Sequence, residues 1–483
     1  MTTRLDTRTF LAADQDLFAA LSNDRNPMHI DPVAARRTQA GAPVVHGVHA
    51  TLWAMEHFVR AHPGRRATDI GVRFERFLYV GETIEAVVTA DAPDKVVIEL
   101  RTDGSRAAVA TLGFAGILQP DGRASFDPTA DARPVAEPIA RDIENLAGLV
   151  DAFRPTGTDQ ALTDSFPALS ALYGTVPIRS FAALSTLVGM ECPGLLSIFS
   201  KLLIAFDPTI GTEDAAFRYA VRRVQPLLRS VVIDVRAPGI HGHVETFVRQ
   251  PPITQPDTIS LRQAISPTLA TGDKVLIVGG SRGLGELTAK LVANAGADVT
   301  ITYARGVDEA RAIADDITAS GGRCRILPFD INAPLPEQVA ALGGPFTHLY
   351  YFATPPIFRK RGKIYDRAVL DTFLTFYVDA FSHVAQAVIA GCSTARIFFP
   401  STSAVDEQPK GSLEYVISKL AGETLCAELT RTFPNIQLLV QRLPRILTDQ
   451  TATVLPVRSA EPLDLLLPII TEMHHRTLRS DPA

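Results

Sequence analysis

Cysteine is scarce in this chain, with four in 483 residues. Cys192, Cys324, Cys392 and Cys426 stand far apart, with no paired metal-ligand spacing, which excludes a disulfide framework or zinc module and suits free thiols in a reducing compartment. An excess of one charge is also missing. Lys and Arg number 47 against 52 Asp and Glu, interspersed, for a net charge of -5. Without a basic field to meet a phosphate backbone, nucleic acid is excluded as a partner, and an anionic substrate would need local basic residues. The N-terminus, MTTRLDTRTFLAADQD, has no apolar core of signal-peptide type, so a cytoplasmic protein is expected. The longest apolar stretch, Ser180 to Phe206, is interrupted by Glu191, Pro193 and Lys201, which predicts a buried core helix and no membrane span.

At 46% hydrophobic and 20% charged, the chain is long enough for two or three separately packed cores. Two aperiodic Pro-rich stretches, around 119–138 and 250–274, read as connectors. The expected domains are therefore 1–120, 136–252 and 270–483. In the first, a helical pattern from Val48 to Val59 precedes alternating runs DIGVRFERF, ETIEAVVTA, KVVIELRT and AAVATLGFAG. The second repeats that order, with a long apolar segment containing CPGLLSIFSKLLIAF before AAFRYAVRRV, RSVVIDVRA and HGHVETFVR. The third alternates strand runs (KVLIVGG, DVTITYA, RILPFD, HLYYFAT, ARIFFPS, QLLVQRL) with helical segments, which predicts a parallel sheet with crossover helices.

Two groups of residues carry chemistry. Asp24 and His29 flank Asn26 and Pro27 in LSNDRNPMH, and a carboxylate and an imidazole around one water can accept and deliver protons at both ends of a double bond. His46-Gly47 then opens the apolar helix, where backbone N–H groups can meet a carbonyl oxygen gaining charge. His57 and His62 are expected on or beyond the helix surface, His49 is without an assigned role, and His241 and His243 read as strand-surface residues lacking a third metal ligand. The second group begins at VGGSRGLG. Gly279, Gly283 and Gly285, with Ser281, Arg282 and Leu284 between them, follow an apolar strand at a turn into a helix, an arrangement that receives a pyrophosphate. The next strand ends in Tyr303-Ala304-Arg305 with no acidic ribose ligand, which favours NADP and makes Arg282 and Arg305 candidate 2′-phosphate ligands. Tyr415 and Lys419, four apart on a helix, face the same way, and the ammonium is expected to bring the phenol's pKa down towards neutrality.

LSNDRNPMHIDPVAARRTQAGAPVVHG, with FERFLYVGETIE after the helix, resembles the MaoC-like (R)-specific enoyl-thioester hydratases and dehydratases over residues 8–116. The resemblance implies a hotdog fold, Asp24 and His29 as the catalytic pair, Asn26 fixing the loop and Gly47 N–H binding the thioester carbonyl. The middle part looks like a second, diverged hotdog without its own pair, with CPGLLS in the place of VVHGVH. Residues 273–455 resemble the short-chain dehydrogenase/reductase family, specifically its β-ketoacyl thioester reductases. That likeness makes Tyr415 the proton donor, Lys419 the ribose partner, Asp330 the adenine contact and Thr448 a nicotinamide contact. It places Thr402 or Ser403, beside Ser401, at the family's serine. The chain departs from the family at Tyr351-Phe352-Ala353-Thr354, where Asn-Asn-Ala-Gly is usual, and near Phe376 or Tyr377, where the relay asparagine is usual.

The expected fold is an α+β double hotdog followed by an α/β Rossmann-type doubly wound parallel sheet. The expected chemistry is NADPH-dependent reduction of a 3-oxoacyl thioester followed by dehydration of the (3R)-hydroxyacyl product, on coenzyme A or acyl carrier protein. The reductase likeness adds self-association of helices, hence a homodimer. Two alternatives stay open: a hydratase with a degenerate nucleotide-binding module, and a non-catalytic docking scaffold in a synthase.

Overall fold

The computed structural model describes residues 2–114, 126, 131–210, 215–357, 364–449, 451 and 457–475. Over the described residues the chain forms two compact units, one comprising 2–251 and the other 252–475.

The first unit is one ten-stranded antiparallel sheet. Its strands are β1 (Thr3–Thr9), β2 (Asp69–Phe74), β3 (Thr83–Asp91), β4 (Lys95–Thr102), β5 (Ser105–Gly113), β6 (Val150–Phe153), β7 (Ser197–Phe206), β8 (Phe217–Gln225), β9 (Ser230–Ala237) and β10 (Ile240–Val248). Their order across the sheet is β1-β3-β4-β5-β2-β7-β10-β9-β8-β6. The second five thus repeat the first five in mirrored order about the β2–β7 pair, where Ile70 lies opposite Ile204 and Val72 opposite Leu202. Each half also has a central helix, Gly47–Ala61 in the first and Thr175–Thr186 in the second. Alternating burial along the strands, as in β4, turns one face towards these helices. Val48, Leu52, Met55, Phe181 and Leu184 of the helices are buried with Ile70, Ile98 and Ile233 of the strands in a single core.

Two expectations are corrected here. The apolar stretch 180–206 is not one helix: the helix Thr175–Thr186 runs through a wider π turn, Leu187–Glu191, and the chain then becomes β7. A short apolar run satisfies either period, and edge pairing with β2 and β10 decides for a strand. CPGLLS consequently follows the second central helix rather than opening it. The counterpart of His46-Gly47 is Tyr173-Gly174, directly before Thr175.

The second unit is a parallel sheet of β11 (Lys274–Val278), β12 (Asp298–Tyr303), β13 (Arg323–Pro328), β14 (His348–Tyr351), β15 (Ala395–Thr402) and β16 (Ile436–Leu443). Its order, β13-β12-β11-β14-β15-β16, reverses between β11 and β14, the switch point outside whose carboxyl ends open α/β sheets generally bind ligands. The inner strands are buried on both faces, as their unbroken apolar runs require. The stretch 250–274 is not a free connector: Leu261, Ile265 and Ala270 are buried in this unit's core. Among the described residues one helix, Arg367–Gly391, is long and apolar enough to cross a membrane. Phe373, Tyr377, Phe381, Val384 and Val388 of that helix are buried against Leu349, Ile397 and Phe399 of the sheet.

Candidate active sites

In the first unit the motif folds by local turn chemistry. Helix Ala12–Ser22 ends at Asn23 in the left-handed region, φ 65°, and so releases the chain into Asp24. Asn26 caps the short helix Pro27–Ile30, its side-chain oxygen accepting from Met28 N–H at 3.1 Å, with Pro27 at the first helical position. The Asn26 amide also donates to Gly189 O at 2.9 Å, tying the loop to the second half of the unit.

Asp24, His29 and His46 converge, each offering a ligand-type atom within 4.8 Å of the other two. His29 Nδ1 lies 2.7 Å from Val44 O, which can only accept, so the proton sits on Nδ1 and Nε2 presents a lone pair. His46 stacks on His29 at 3.9 Å, with Nδ1 3.0 Å from Gln15 Oε1 and Nε2 3.1 Å from Asp24 O. Asp24 is buried, and Ser185 Oγ donates to its Oδ2 at 2.6 Å. Burial raises its pKa above the usual carboxylate value, opposed by the His29 ring and the Ser185 hydrogen bond. Burial also holds His46 well below the ordinary histidine value. Gly189 faces the carboxylate so closely that a Cβ there would stand 2.3 Å from Asp24 Oδ1. Gly47 opens the central helix, where its N–H has no partner one turn earlier, and a Cβ on it would strike the Phe74 ring at 2.7 Å.

Ser185, Gly189 and Gln15 were not legible in the sequence as site residues. In the second half the segment preceding the central helix carries Phe166 and Leu169, both buried in the core, rather than an Asp/His pair. Of the other histidines, His49 is buried against Phe18 at 4.6 Å, His57 pairs with Asp6 at 3.0 Å, and His62 stacks on Phe58. His241 is half-buried near Asp207, whereas His243 is buried rather than on the strand surface, opposite Asp234 on β9 and Leu203 on β7.

In the second unit the glycine loop joins β11 to helix Gly283–Asn294. Gly279 has φ +81°, and a Cβ on Gly285 would stand 2.2 Å from Gly279 O, so backbone meets backbone there. Gly283, φ +57°, has nothing within 4 Å of its Cβ position, which leaves an open cradle at the helix N-terminus. Ser281 is buried and Leu284 half-buried in the loop; Arg282 reaches Asp449 at 3.8 Å. Arg305 is exposed just beyond β12. Asp330, beyond β13, accepts from the backbone and side chain of Asn332 at 3.0 Å each. Thr448, beyond β16, donates its N–H to Thr451 Oγ1 at 2.8 Å. All of these lie past the carboxyl ends of the parallel strands.

Tyr415 and Lys419 share helix Leu413–Thr432, and the Thr402 hydroxyl at the end of β15 stands beside that of Tyr415 and acts to lower its pKa. Ser401 instead donates to Glu423, and Ser403 stands at the N-cap position of the short helix that follows without a side-chain cap bond, so of the two candidates Thr402 is the one placed beside Tyr415. Lys419 Nζ donates to Pro400 O at 2.7 Å and lies 5.9 Å from the Tyr415 ring centroid. The expected lowering of the phenol is not found. Burial raises the Tyr415 pKa, partly offset by Thr402, and burial brings Lys419 down to about 7.

Comparison with known proteins finds relatives of both parts of the chain. Residues 2–103 match the family described as MaoC like domain, and residues 273–443 the short chain dehydrogenase family. The chain is 35% identical over 99 residues, 20% of its length, to the (R)-specific enoyl-CoA hydratase of Aeromonas caviae, covering 74% of that protein. It is 35% identical over 74 residues, 15% of its length, to elsinochrome reductase 1 of Elsinoe fawcettii, and 35% over 60 residues, 12%, to the 3-oxoacyl-[acyl-carrier-protein] reductase FabG of Aggregatibacter actinomycetemcomitans. It covers only 28% and 25% of those two reductases. The chain is a fusion: it belongs to the MaoC-like hydratase/dehydratase family in its N-terminal part and carries a short-chain dehydrogenase/reductase domain in its C-terminal part.

Proposed function

We propose that the protein reduces a 3-oxoacyl thioester with NADPH and dehydrates the resulting (3R)-hydroxyacyl thioester to the trans-2-enoyl thioester, the acyl group being carried on coenzyme A or acyl carrier protein. One observation carries this reading: a single chain holds two separate proton-handling centres, Asp24 with His29 and Tyr415 with Thr402, each with its supporting groups in place.

The glycine loop suits a dinucleotide, because the Gly283 cradle is open where the helix N-terminus would meet a pyrophosphate. Gly279, Ser281, Gly283, Leu284 and Gly285 would hold it, with Asp330 towards the adenine, Thr448 towards the nicotinamide, and Arg305 and Arg282 towards a 2′-phosphate. When bound, NADPH supplies the hydride. Tyr415 gives its hydroxyl proton to the substrate oxygen as the carbonyl becomes an alcohol, Thr402 holds that oxygen by hydrogen bonding, and Lys419 fixes the floor of the site through Pro400 O.

In dehydration, His29 Nε2, with its lone pair available, takes a proton from C2. The Asp24 carboxyl, whose pKa burial raises, gives its proton to the C3 hydroxyl, and the C3–O bond breaks to release water. Gly47 N–H receives the thioester carbonyl oxygen as charge builds on it. Run backwards, the same groups add water. Ser185 orients Asp24 from the second half, which thus completes the site without a pair of its own. The test is direct incubation of the purified chain with 3-oxoacyl thioester and NADPH. The expected product is the trans-2-enoyl thioester, and a mixture without NADPH oxidation overturns the reductase half of the reading.

A further inference from the structure

Three residues that depart from the reductase pattern, Tyr351, Thr354 and Tyr377, meet in one place. Tyr351 Oη donates to Phe376 O at 2.6 Å, and the hydroxyls of Tyr377 and Thr354 are 2.5 Å apart. Both bonds hold the π turn Thr375–Ala380 within helix Arg367–Gly391. That turn sets the Tyr377 ring against Lys419, whose Nζ lies 3.9 Å from the ring centroid, with Phe399 at 5.0 Å and Tyr415 at 5.9 Å. The ammonium thus sits in an aromatic cage, with Pro400 O as its close oxygen partner. The ionisable groups around it are Tyr415, Glu423 and Cys426 on its own helix and Tyr377 on the facing one.

We propose that Tyr377 is a positioning residue of the reductase half: the face of its ring, fixed by the buried π turn, seats the Lys419 ammonium. This deepens the proposed reduction and rests on Lys419 belonging to that site. A buried lysine loses its proton easily, so the ring's negative face, by favouring the ammonium, keeps Lys419 charged close to neutral pH.

The test reads Lys419 itself in the full chain without cofactor. The sequence has eight lysines, so ε-carbon-labelled lysine gives a countable NMR spectrum, and Lys419→Met identifies the resonance. The wild-type signal is expected to titrate near pH 7. Tyr377→Leu lowers the midpoint by about one pH unit, whereas Tyr377→Phe, which keeps the ring, leaves it in place. Should the leucine variant fail to fold, a ring-fluorinated phenylalanine at 377 keeps the shape, removes the negative face and gives the same downward shift. The inference is overturned if neither variant moves the midpoint, or if Tyr377→Phe moves it as far as they do. In turnover, Tyr377→Leu lowers NADPH oxidation about tenfold and moves its pH limb by the same one unit, while water addition to an enoyl thioester by the first unit is unchanged. A wild-type chain that never oxidises NADPH defeats the proposed reduction, yet the lysine titration still decides the role of Tyr377.

Discussion

Ser185→Ala removes one oxygen from the dehydratase site and nothing from its fold. That oxygen donates to Asp24 Oδ2 at 2.6 Å from the other half of the unit, and both residues are buried. A hydrogen bond to a charged group is worth about 1.5–3 kcal/mol, about a tenfold to hundredfold bias towards the carboxylate, so its loss raises the Asp24 pKa further. The direction is fixed by the balance at this carboxyl: burial already raises it, and Ser185 is among the groups holding it down. Asp24 and His29 turn over while sharing one proton, so the acid limb of the pH profile is the loss of the second proton, chiefly from Asp24. The limb therefore moves towards higher pH, and activity below it falls about tenfold or more. The assay follows the disappearance of the conjugated enoyl thioester on hydration across pH, with NADPH-dependent reduction as the control for an intact chain. An unchanged acid limb in Ser185→Ala would refute the reasoning, because it would mean that the second half does not tune Asp24.

Gly189→Ala puts a methyl group 2.3 Å from Asp24 Oδ1 and should abolish hydration, read by the same assay, while reduction persists. Thr402→Val removes the hydroxyl beside Tyr415 and lowers NADPH oxidation by about a hundredfold or more, whereas Ser403→Ala, whose hydroxyl makes no cap bond to the helix that follows, changes it little. Arg305→Ala weakens NADPH binding about tenfold or more and leaves NADH binding unchanged, as measured by fluorescence titration. Glu191 is fully buried and bonded to Arg133 at 2.8 Å; because that arginine is partly exposed, Glu191→Ala should lower stability by about 2–3 kcal/mol, seen as a lower melting temperature of the first unit.

Much of this was legible from residues near each other in sequence. The Asp24–His29 spacing, the six strand runs of the second unit and the glycine loop are local signals, since turn chemistry and apolar period act over a few residues. What escaped depends on distance or on burial. Ser185 is a small polar residue in an apolar helix, and its partner lies 161 positions away, so only the pairing of β2 with β7 brings it to Asp24. Strand β1, TRLDTRT, is too polar and too exposed to read as a strand, and its place is given by β3. Ser197–Phe206 is apolar enough to pass as helix until its neighbours pair with it. The Tyr415 expectation failed because sequence spacing supplies the charge of Lys419 but not the burial, which raises one pKa and lowers the other.

The most direct measurement follows acyl products by mass spectrometry in the full chain supplied with a 3-oxoacyl thioester and NADPH, comparing wild type, Tyr415→Phe and Asp24→Asn. Consecutive action predicts enoyl thioester from wild type, no NADPH oxidation from Tyr415→Phe, and continued oxidation with accumulating 3-hydroxyacyl thioester from Asp24→Asn. Enoyl product from Asp24→Asn at the wild-type rate, or undiminished NADPH oxidation by Tyr415→Phe, would contradict it.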